Sequence, residues 1–113
     1  MEEDFRKTIE NSAAQMRKGV LEFAILLAIS KKKTYANEII AQLKEAKLTV
    51  VEGTIYPLLS RLKNSELLDY DWKESKSGPP RKYYTLTPKG KKLLESYETQ
   101  WNSLKQAIIK LKK

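Results

Sequence analysis

The side chains best suited to chemistry in this sequence are basic, hydroxyl and aromatic groups, and two clusters of them between residues 53 and 90 are the main candidates. Ammonium, guanidinium and hydroxyl groups bind phosphate oxygens and the edges of nucleic-acid bases. The pattern therefore indicates binding of a polyanion rather than covalent catalysis. The candidate residues form two clusters: Thr54, Tyr56, Ser60, Arg61 and Lys63 in the first, and Lys76, Arg81 and Lys82 in the second.

Histidine and cysteine are both absent from the 113 residues. Their absence excludes disulfides, thiolate nucleophiles, the usual zinc sites and every triad built on imidazole. The carboxylates and tyrosines show no spacing typical of a catalytic site. The sequence therefore predicts no enzyme, no metal site and no cofactor.

Positive charge is concentrated in the second half of the chain. Residues 1–52 contain 9 Lys/Arg against 8 Asp/Glu, whereas residues 53–113 contain 13 against 6, and the whole chain carries a net charge of +8. Such an imbalance favours a polyanion, above all double-stranded DNA. Two other interpretations are a basic surface kept for solubility and a module that binds a protein partner through Tyr/Trp-rich strands.

The longest apolar run, Val20 to Ile29, has ten residues and contains Glu22. About 20 apolar residues are needed to span a bilayer, so this run is expected to be a buried helix. The N-terminus is acidic and polar, unlike a secretory signal. We expect no membrane partner and a cytoplasmic location, in the bacterial cytosol and associated with the nucleoid.

Several helices must position the two clusters. Apolar spacing predicts one helix over residues 2 to about 14, with Phe5 and Ile9 on one face, and a nearly all-apolar helix from about Met16 to Ser30. Thr34 is a candidate N-cap for the next helix. These helices are expected to form the core.

The first cluster lies on a helix predicted over Gly53–Ser65. Its apolar residues recur at i, i+3, i+4 and i+7, namely Ile55, Leu58, Leu59 and Leu62. Pro57 is tolerated only near the first turn, which places the helix start near Glu52 or Gly53. The residues of the first cluster then point outward, on the second helix of a helix-turn-helix.

Two strands surround the second cluster. Apolar and aromatic residues alternate with polar ones on both sides of the sequence SKSGPPRK: Leu68, Tyr70 and Trp72 before it, Tyr84 and Leu86 after it. Gly and Pro predict the tip of a hairpin, flanked by cations. A basic helix followed by such a hairpin is typical of a winged helix, although an ordinary solvated hairpin has the same pattern. Thr87 and Pro88 then predict the N-cap and first residue of the last helix.

A heptad-like apolar seam follows on that last helix. Its members are spaced alternately by three and four residues: Leu94, Tyr97, Trp101, Leu104, Ile108 and Leu111. We expect this seam to contact a second copy of the chain, with Phe5 and Ile9 completing the interface; packing onto the same domain is the alternative. A homodimer could bind both half-sites of a palindromic duplex.

Trp101 lies in the middle of the seam. Two copies could face each other and, with Tyr97, stack on a small aromatic effector. The alternative is that Trp101 only fills the interface.

The runs MRKGVLEFAILLAI, VEGTIYPLLSRL, LLDYDWKES and SGPPRKYYTLTPKGKKLL resemble the PadR family of bacterial winged-helix transcriptional regulators. The similarity covers about residues 16–105 and is greatest to the short branch with a single C-terminal dimerisation helix. The resemblance implies a homodimeric repressor, released from DNA in some members by a small molecule at the dimer interface. It further implies that Tyr35, Thr54, Tyr56, Ser60, Arg61 and Lys63 face DNA and that Gly78, Arg81 and Lys82 form the wing contact.

Among these residues, Arg61 is best suited to contact a guanine edge, whereas Tyr35, Arg81 and Lys82 are expected to hold phosphates or enter a minor groove. The chain departs from the family at Ala36 and Asn37, where Gly-Tyr is usual. It also has Val51 where a capping Ser is common, which is expected to weaken that helix start by about 1 kcal/mol.

The predicted fold is mainly α with a small β-hairpin, a winged helix-turn-helix with N- and C-terminal dimerisation helices. Its expected divisions are an N-terminal helix in residues 1–15 that contacts the partner subunit, a DNA-binding domain in residues 16–88, and a C-terminal dimerisation helix in residues 89–113.

Overall fold

The computed structural model describes all 113 residues as four helices and one two-stranded antiparallel sheet. In chain order the elements are α1 (Glu2–Ser30), α2 (Ala36–Glu45), α3 (Glu52–Asn64), β1 (Leu68–Ser75), β2 (Gly78–Leu86) and α4 (Pro88–Lys112). The predicted fold class, mainly helical with a small hairpin, is confirmed. None of the helices is long and apolar enough to cross a membrane.

The two helices expected before residue 30 are a single helix, α1, of 29 residues. The stretch between them, NSAAQMRK, contains neither Pro nor Gly, so nothing in it interrupts the helical backbone. At 1.5 Å per residue α1 is about 43 Å long. Its C-terminal third is buried through Ile25, Leu26, Ala28 and Ile29, while its N-terminal half is exposed.

Thr34 does not cap α2, as the sequence had suggested; Tyr35 occupies that position. Thr34 is instead fully buried and pairs with Tyr84 of β2 through two backbone hydrogen bonds, of 3.3 and 2.8 Å. Its hydroxyl donates to Oε1 of Glu38, which also accepts from the Tyr35 amide. Thr34 thus forms an isolated β-bridge with β2, which ties the start of α2 to the hairpin.

Helix α3 begins at Glu52, as Pro57 had suggested, although Pro57 is its sixth residue and lies in the second turn. Val51 occupies the N-cap and provides no side-chain hydrogen bond, as expected for a position without a hydroxyl. The inner face, formed by Ile55, Leu59 and Leu62, is fully buried. The predicted buried stripe of α3 is thus confirmed for these three residues, and its fourth member, Leu58, is partly buried against the core.

Strands β1 and β2 pair antiparallel, as expected for a hairpin. Tyr70 lies opposite Tyr84 and Trp72 opposite Lys82, with an irregularity between Lys73 and Ser75. The turn itself is Lys76–Ser77, and the Gly-Pro-Pro sequence expected at the tip forms the first residues of β2. Proline has no amide hydrogen to donate, which accounts for the irregular pairing at this end of the hairpin.

The N-terminus of α4 is joined closely to the end of α3. Oγ1 of Thr87 accepts a hydrogen bond from the Gly90 amide at 3.0 Å and donates one to the Glu66 carbonyl at 2.7 Å. The predicted Thr87–Pro88 helix start is confirmed. The bond to Glu66, together with one of 3.2 Å from the Thr87 amide to the Leu67 carbonyl, ties the start of α4 to the two residues that precede the hairpin.

Candidate nucleic-acid interface

The outward residues of α3 do not form one surface. Tyr56 and Ser60 face the hairpin, whereas Thr54 and Arg61 lie on the side of the helix that faces α1. The division follows from helix geometry, since each residue is rotated by about 100° from the one before it, so the two pairs lie on different sides of the axis. Only the hairpin side can form a shared binding surface with the wing.

A groove of about 360 Å³ separates α3 from the wing and from the start of α2. We call it the wing groove. It is lined by Tyr35, Ala36, Asn37, Tyr56, Ser60, Trp72, Pro79, Pro80, Arg81, Lys82 and Tyr84. Five of the predicted DNA-contacting residues therefore lie together here, contributed by three different elements.

One face of the hairpin holds cations over aromatic rings. Nζ of Lys82 lies 4.7 Å from the ring centroid of Tyr70 and 5.4 Å from that of Trp72. Nζ of Lys63, from α3, lies 5.7 Å from the same Tyr70 ring. Such cation–π contacts restrict the long side chains while leaving their charges at the surface. The Lys63 side chain therefore extends from α3 toward the hairpin and lies over the same face as Lys82.

The opposite face of the hairpin repeats this arrangement with different residues. The guanidinium of Arg81 lies 4.5 Å from the ring centroid of Tyr35, and Nζ of Lys73 lies 5.1 Å from that of Tyr83. The two tyrosine rings are 5.3 Å apart. Lys73 and Arg81 are also cross-strand partners. Both faces of the wing therefore present stacked cations.

An ion pair fixes the base of the wing. Nζ of Lys33, just before α2, lies 2.8 Å from Oδ2 of Asp71 on β1. The hydrogen bond from Lys33, together with its charge, holds the pKa of the Asp71 carboxyl below its ordinary value. The pair and the Thr34–Tyr84 bridge attach the hairpin to the same short loop.

Trp72 and Lys73 were not among the predicted contact residues. Trp72 is 61% exposed and lines the wing groove between Tyr56 and Lys82. The alternation of β1 places Trp72 on the same face as Tyr70, which could have identified it as a groove residue. Its pairing with Lys82 follows from the Lys76–Ser77 turn, which the sequence did not predict.

The Arg61 side chain is 56% exposed, as expected for an outward position, but it does not line the wing groove. Its Nη2 lies 3.2 Å from Oε1 of Glu22 on α1, and the guanidinium is turned away from the wing groove. Thr54 lines a separate cavity of about 340 Å³ with Arg17 and Lys18 of α1. Gly78 lies at the exposed end of the hairpin. The structure therefore brings together Tyr35, Tyr56, Ser60, Arg81 and Lys82, and leaves Thr54 and Arg61 on the other flank of α3.

The seam of α4 has two parts. Leu94 and Tyr97 are half-buried against the chain's own core, and the Tyr97 ring makes an edge contact with Phe23 at 5.8 Å between centroids. Beyond Tyr97 the seam is uncovered: Trp101, Leu104, Ile108 and Leu111 are all exposed, as are Phe5 and Ile9 of α1. The alternative of intramolecular packing thus applies to the first two residues, while the rest of the stripe faces solvent.

A cavity of about 300 Å³ lies where α1 and α4 diverge, and we call it the α1–α4 cavity. Its wall includes Phe23, Tyr97 and Trp101, the last 41% exposed. Burial raises the pKa of the Tyr97 phenol, and the neighbouring Glu22 carboxylate raises it further through its charge and a hydrogen bond. Tyr97 therefore remains a protonated hydrogen-bond donor.

These elements define a winged helix-turn-helix protein of the DNA-binding class. The helix pair is α2 and α3, the wing is the β1–β2 hairpin, and cations and aromatic rings line the groove between them. No cluster of three or more carboxylates is placed to hold a metal ion.

Comparison with known proteins gives the particular family. Residues 25–96 match the model of the transcriptional regulator PadR-like family, which is more than half of the chain. The chain belongs to the PadR-like family of transcriptional regulators. It is a DNA-binding regulator and not an enzyme.

Solved structures agree with this assignment. The chain is 53% identical to a PadR-like transcription factor from Bacteroides fragilis, covering 89% of this chain and 98% of that one with a TM-score of 0.76. It is 40% identical to a PadR-like transcriptional regulator from Bacillus cereus, with coverages of 86% and 95% and a TM-score of 0.76. A PadR family regulator from Eggerthella lenta is 28% identical, with coverages of 96% and 95% and a TM-score of 0.87.

Proposed function

We propose that this protein is a cytoplasmic homodimeric repressor that binds a palindromic operator through the wing groove and the adjoining face of α3. The observation that carries the proposal is the convergence of Tyr35, Tyr56, Ser60, Arg81 and Lys82 on one groove. Repression is what the resemblance to the family implies.

Different residues of the groove have different tasks. Tyr56 and Ser60 lie on the exposed side of α3, the element that would enter the major groove and meet base edges. Arg81 and Lys82 lie on the wing and would bind phosphates. Because aromatic rings already hold both cations, less side-chain entropy is lost when DNA binds.

The homodimer is supported by apolar surface that this chain alone does not cover. Leu104, Ile108 and Leu111 of α4, and Phe5 and Ile9 of α1, are each more than half exposed. Exposed apolar patches on a protein surface mark interaction sites. Two copies joined along α4 and the N-terminal half of α1 would bury this surface and present two α3 helices.

The α1–α4 cavity is the proposed effector site. It lies beside the uncovered half of the seam, so a partner subunit would close it and bring a second Trp101 near the first. A planar aromatic molecule could stack between such rings. Trp101 and Tyr97 are the residues that we expect to contact it.

Selection of duplexes from a random-sequence pool tests operator binding. We expect the wild-type protein to enrich an inverted repeat with half-sites about one helical turn apart. Lys82→Ala should weaken binding to the enriched duplex and to a scrambled one alike, and should lower the slope of affinity against salt by about one. Lys112→Ala, which removes the same charge at the end of α4, is the matched control. A pool without an enriched sequence would contradict the proposal and favour a module that binds a protein partner.

Tryptophan fluorescence tests the effector site. In Trp72→Phe protein Trp101 is the remaining tryptophan, so quenching by a panel of planar aromatic cations and acids reports on the α1–α4 cavity. We expect saturable quenching and release of the enriched duplex by the same compound. Absence of quenching across the panel would mean that Trp101 only fills the interface.

A further inference from the structure

Glu22 lies where three helices meet. It belongs to α1, its carboxylate is 3.2 Å from the Arg61 guanidinium of α3, and it neighbours the Tyr97 phenol of α4. Its side chain is only 22% exposed, whereas that of Arg61 is 56% exposed. The chain has one other ion pair, Lys33–Asp71, and that one does not involve α3 or α4. Glu22 is thus the acidic residue that links α3, the proposed DNA-contacting helix, to α1.

The pairing leaves Arg61 usable. A carboxylate held partly away from water needs a charged or hydrogen-bonding partner, so Glu22 draws the guanidinium toward α1. A guanidinium has five donors in a planar fork, and one carboxylate engages only some of them. Because more than half of the Arg61 side chain remains exposed, the outer edge of the fork can still reach a base or a phosphate.

Tyr97 lies beside the same carboxylate. Its ring makes an edge contact, with 5.8 Å between centroids, with Phe23, the residue that follows Glu22 on α1. The nearby Glu22 raises the pKa of the Tyr97 phenol, after the larger effect of burial. Trp101 lies one turn further along α4, and both rings form the wall of the α1–α4 cavity. A displacement of α4 that removes the Tyr97 hydroxyl from Glu22 would therefore leave the carboxylate to Arg61 alone.

We propose that Glu22 is a positioning residue that restrains Arg61 and that, through Tyr97, makes the freedom of Arg61 depend on the position of α4. The inference rests on the proposed function, since it concerns how Arg61 reaches DNA and how the α1–α4 cavity influences it. Binding of DNA requires Arg61 to leave Glu22 or to share it. Loosening that ion pair strengthens operator binding, and tightening it weakens operator binding.

The test is a double-mutant cycle on the duplex enriched by the wild-type protein, measured by fluorescence anisotropy. Glu22→Gln keeps the shape of the side chain and removes its charge, so we expect about two- to fivefold tighter binding, the range of a partly exposed ion pair. In an Arg61→Ala background the same substitution should leave the affinity unchanged. Tyr97→Phe should weaken binding about twofold when Glu22 is present, since an unshared carboxylate binds Arg61 more firmly. In a Glu22→Gln background Tyr97→Phe should have no effect.

A matched control separates this role from a general change of charge. Glu10→Gln removes an acid from an exposed position on α1 that makes no ion pair, and raises the net charge equally. Its effect should be small, and it should be the same in the wild-type protein and in the Arg61→Ala background. Equal effects of Glu22→Gln in both backgrounds, or none in either, would overturn the inference while leaving operator binding intact. A pool that yields no enriched duplex would instead remove the proposed function and this inference with it.

Discussion

At the scale of single residues, Gly90 shows how closely two elements approach. A Cβ at this position would lie 2.1 Å from the carbonyl oxygen of Leu67, which is backbone and cannot rotate away. The two segments are close because the Thr87 hydroxyl bonds both the Gly90 amide, in the first turn of α4, and the Glu66 carbonyl, just after α3. Glycine is required here for space, since its φ is not positive.

Gly90→Ala should therefore lower the free energy of unfolding by about 1–3 kcal/mol, the usual cost of overpacking. Urea denaturation followed by circular dichroism measures the change. Gly53→Ala is the control, because a Cβ there meets nothing within 4 Å and an alanine within a helix gains about 0.5–1 kcal/mol. Equal stability of the two variants would show that α4 can move away from Leu67.

Asp71 should titrate below its ordinary value of 3.8, because Lys33 stabilises the charged carboxylate. A carboxyl whose folded pKa is depressed contributes stability above its unfolded pKa and loses it as the pH falls through the folded pKa. The ion pair at the base of the wing is then complete at neutral pH and is lost only in acid below about pH 3.8. NMR titration of the carboxyl carbon measures this, and Lys33→Ala should return the midpoint toward 3.8. A midpoint unmoved by that substitution would show that the pair does not form in solution.

At the scale of elements, α2 and α3 end in the same way. Each is followed by a non-glycine residue with positive φ, Lys47 (69°) and Glu66 (63°), and then by a leucine whose amide bonds back to the helix. Leu48 and Leu67 pack on the core. This left-handed position is the one that glycine usually occupies after a helix.

Glu66→Gly should accordingly stabilise the fold by about 0.5–1 kcal/mol, because the steric cost of the left-handed conformation exceeds the added backbone entropy of glycine. Thermal unfolding measures the gain. Glu45→Gly, in the last turn of α2 with helical geometry, should lose up to about 1 kcal/mol. A loss in both variants would indicate that Glu66 contributes through its side chain.

Sequence reasoning succeeded at this scale wherever the signal was local. The buried stripe of α3, the alternation of β1 and the Thr87–Pro88 start each depend on residues a few positions apart. What it missed depends on contacts between distant segments: Thr34 joins Tyr84, and Lys33 meets Asp71 across 38 positions. A helical wheel of α3 places Arg61 at an outward position, but it cannot show the ion pair with Glu22, because Glu22 belongs to α1. No periodicity within α3 could have shown that contact.

At the scale of the whole molecule, the chain is elongated, with extents of 51 × 34 × 24 Å. Its large exposed apolar residues lie in the N-terminal half of α1, in the C-terminal half of α4, at Val51 and Tyr56 of the α3 region, and at Trp72 of β1. The opposite face of α4 is polar, with Asn102, Ser103 and Gln106. We therefore expect the apolar face of α4 to associate with a partner and its polar face to remain in water.

Ile108→Glu should convert the proposed dimer to monomer, because it places a charge within the apolar stripe. Light scattering should give twice the chain mass of 13.1 kDa for the wild-type protein and the single mass for the variant. Gln106→Glu adds the same charge on the polar face and should leave the dimer unchanged. A wild-type mass of 13.1 kDa at all concentrations would refute the dimer.

The continuity of α1 has a consequence for the spacing of DNA sites. One unbroken helix of 29 residues carries both the apolar residues proposed to meet a partner and buried residues of the core to which α3 also contributes. A pair of such subunits would hold its two DNA-contacting helices at a set separation, with no hinge to adjust it. We therefore expect operators with one base pair added or removed at their centre to bind poorly, because each insertion also turns one half-site around the helix axis.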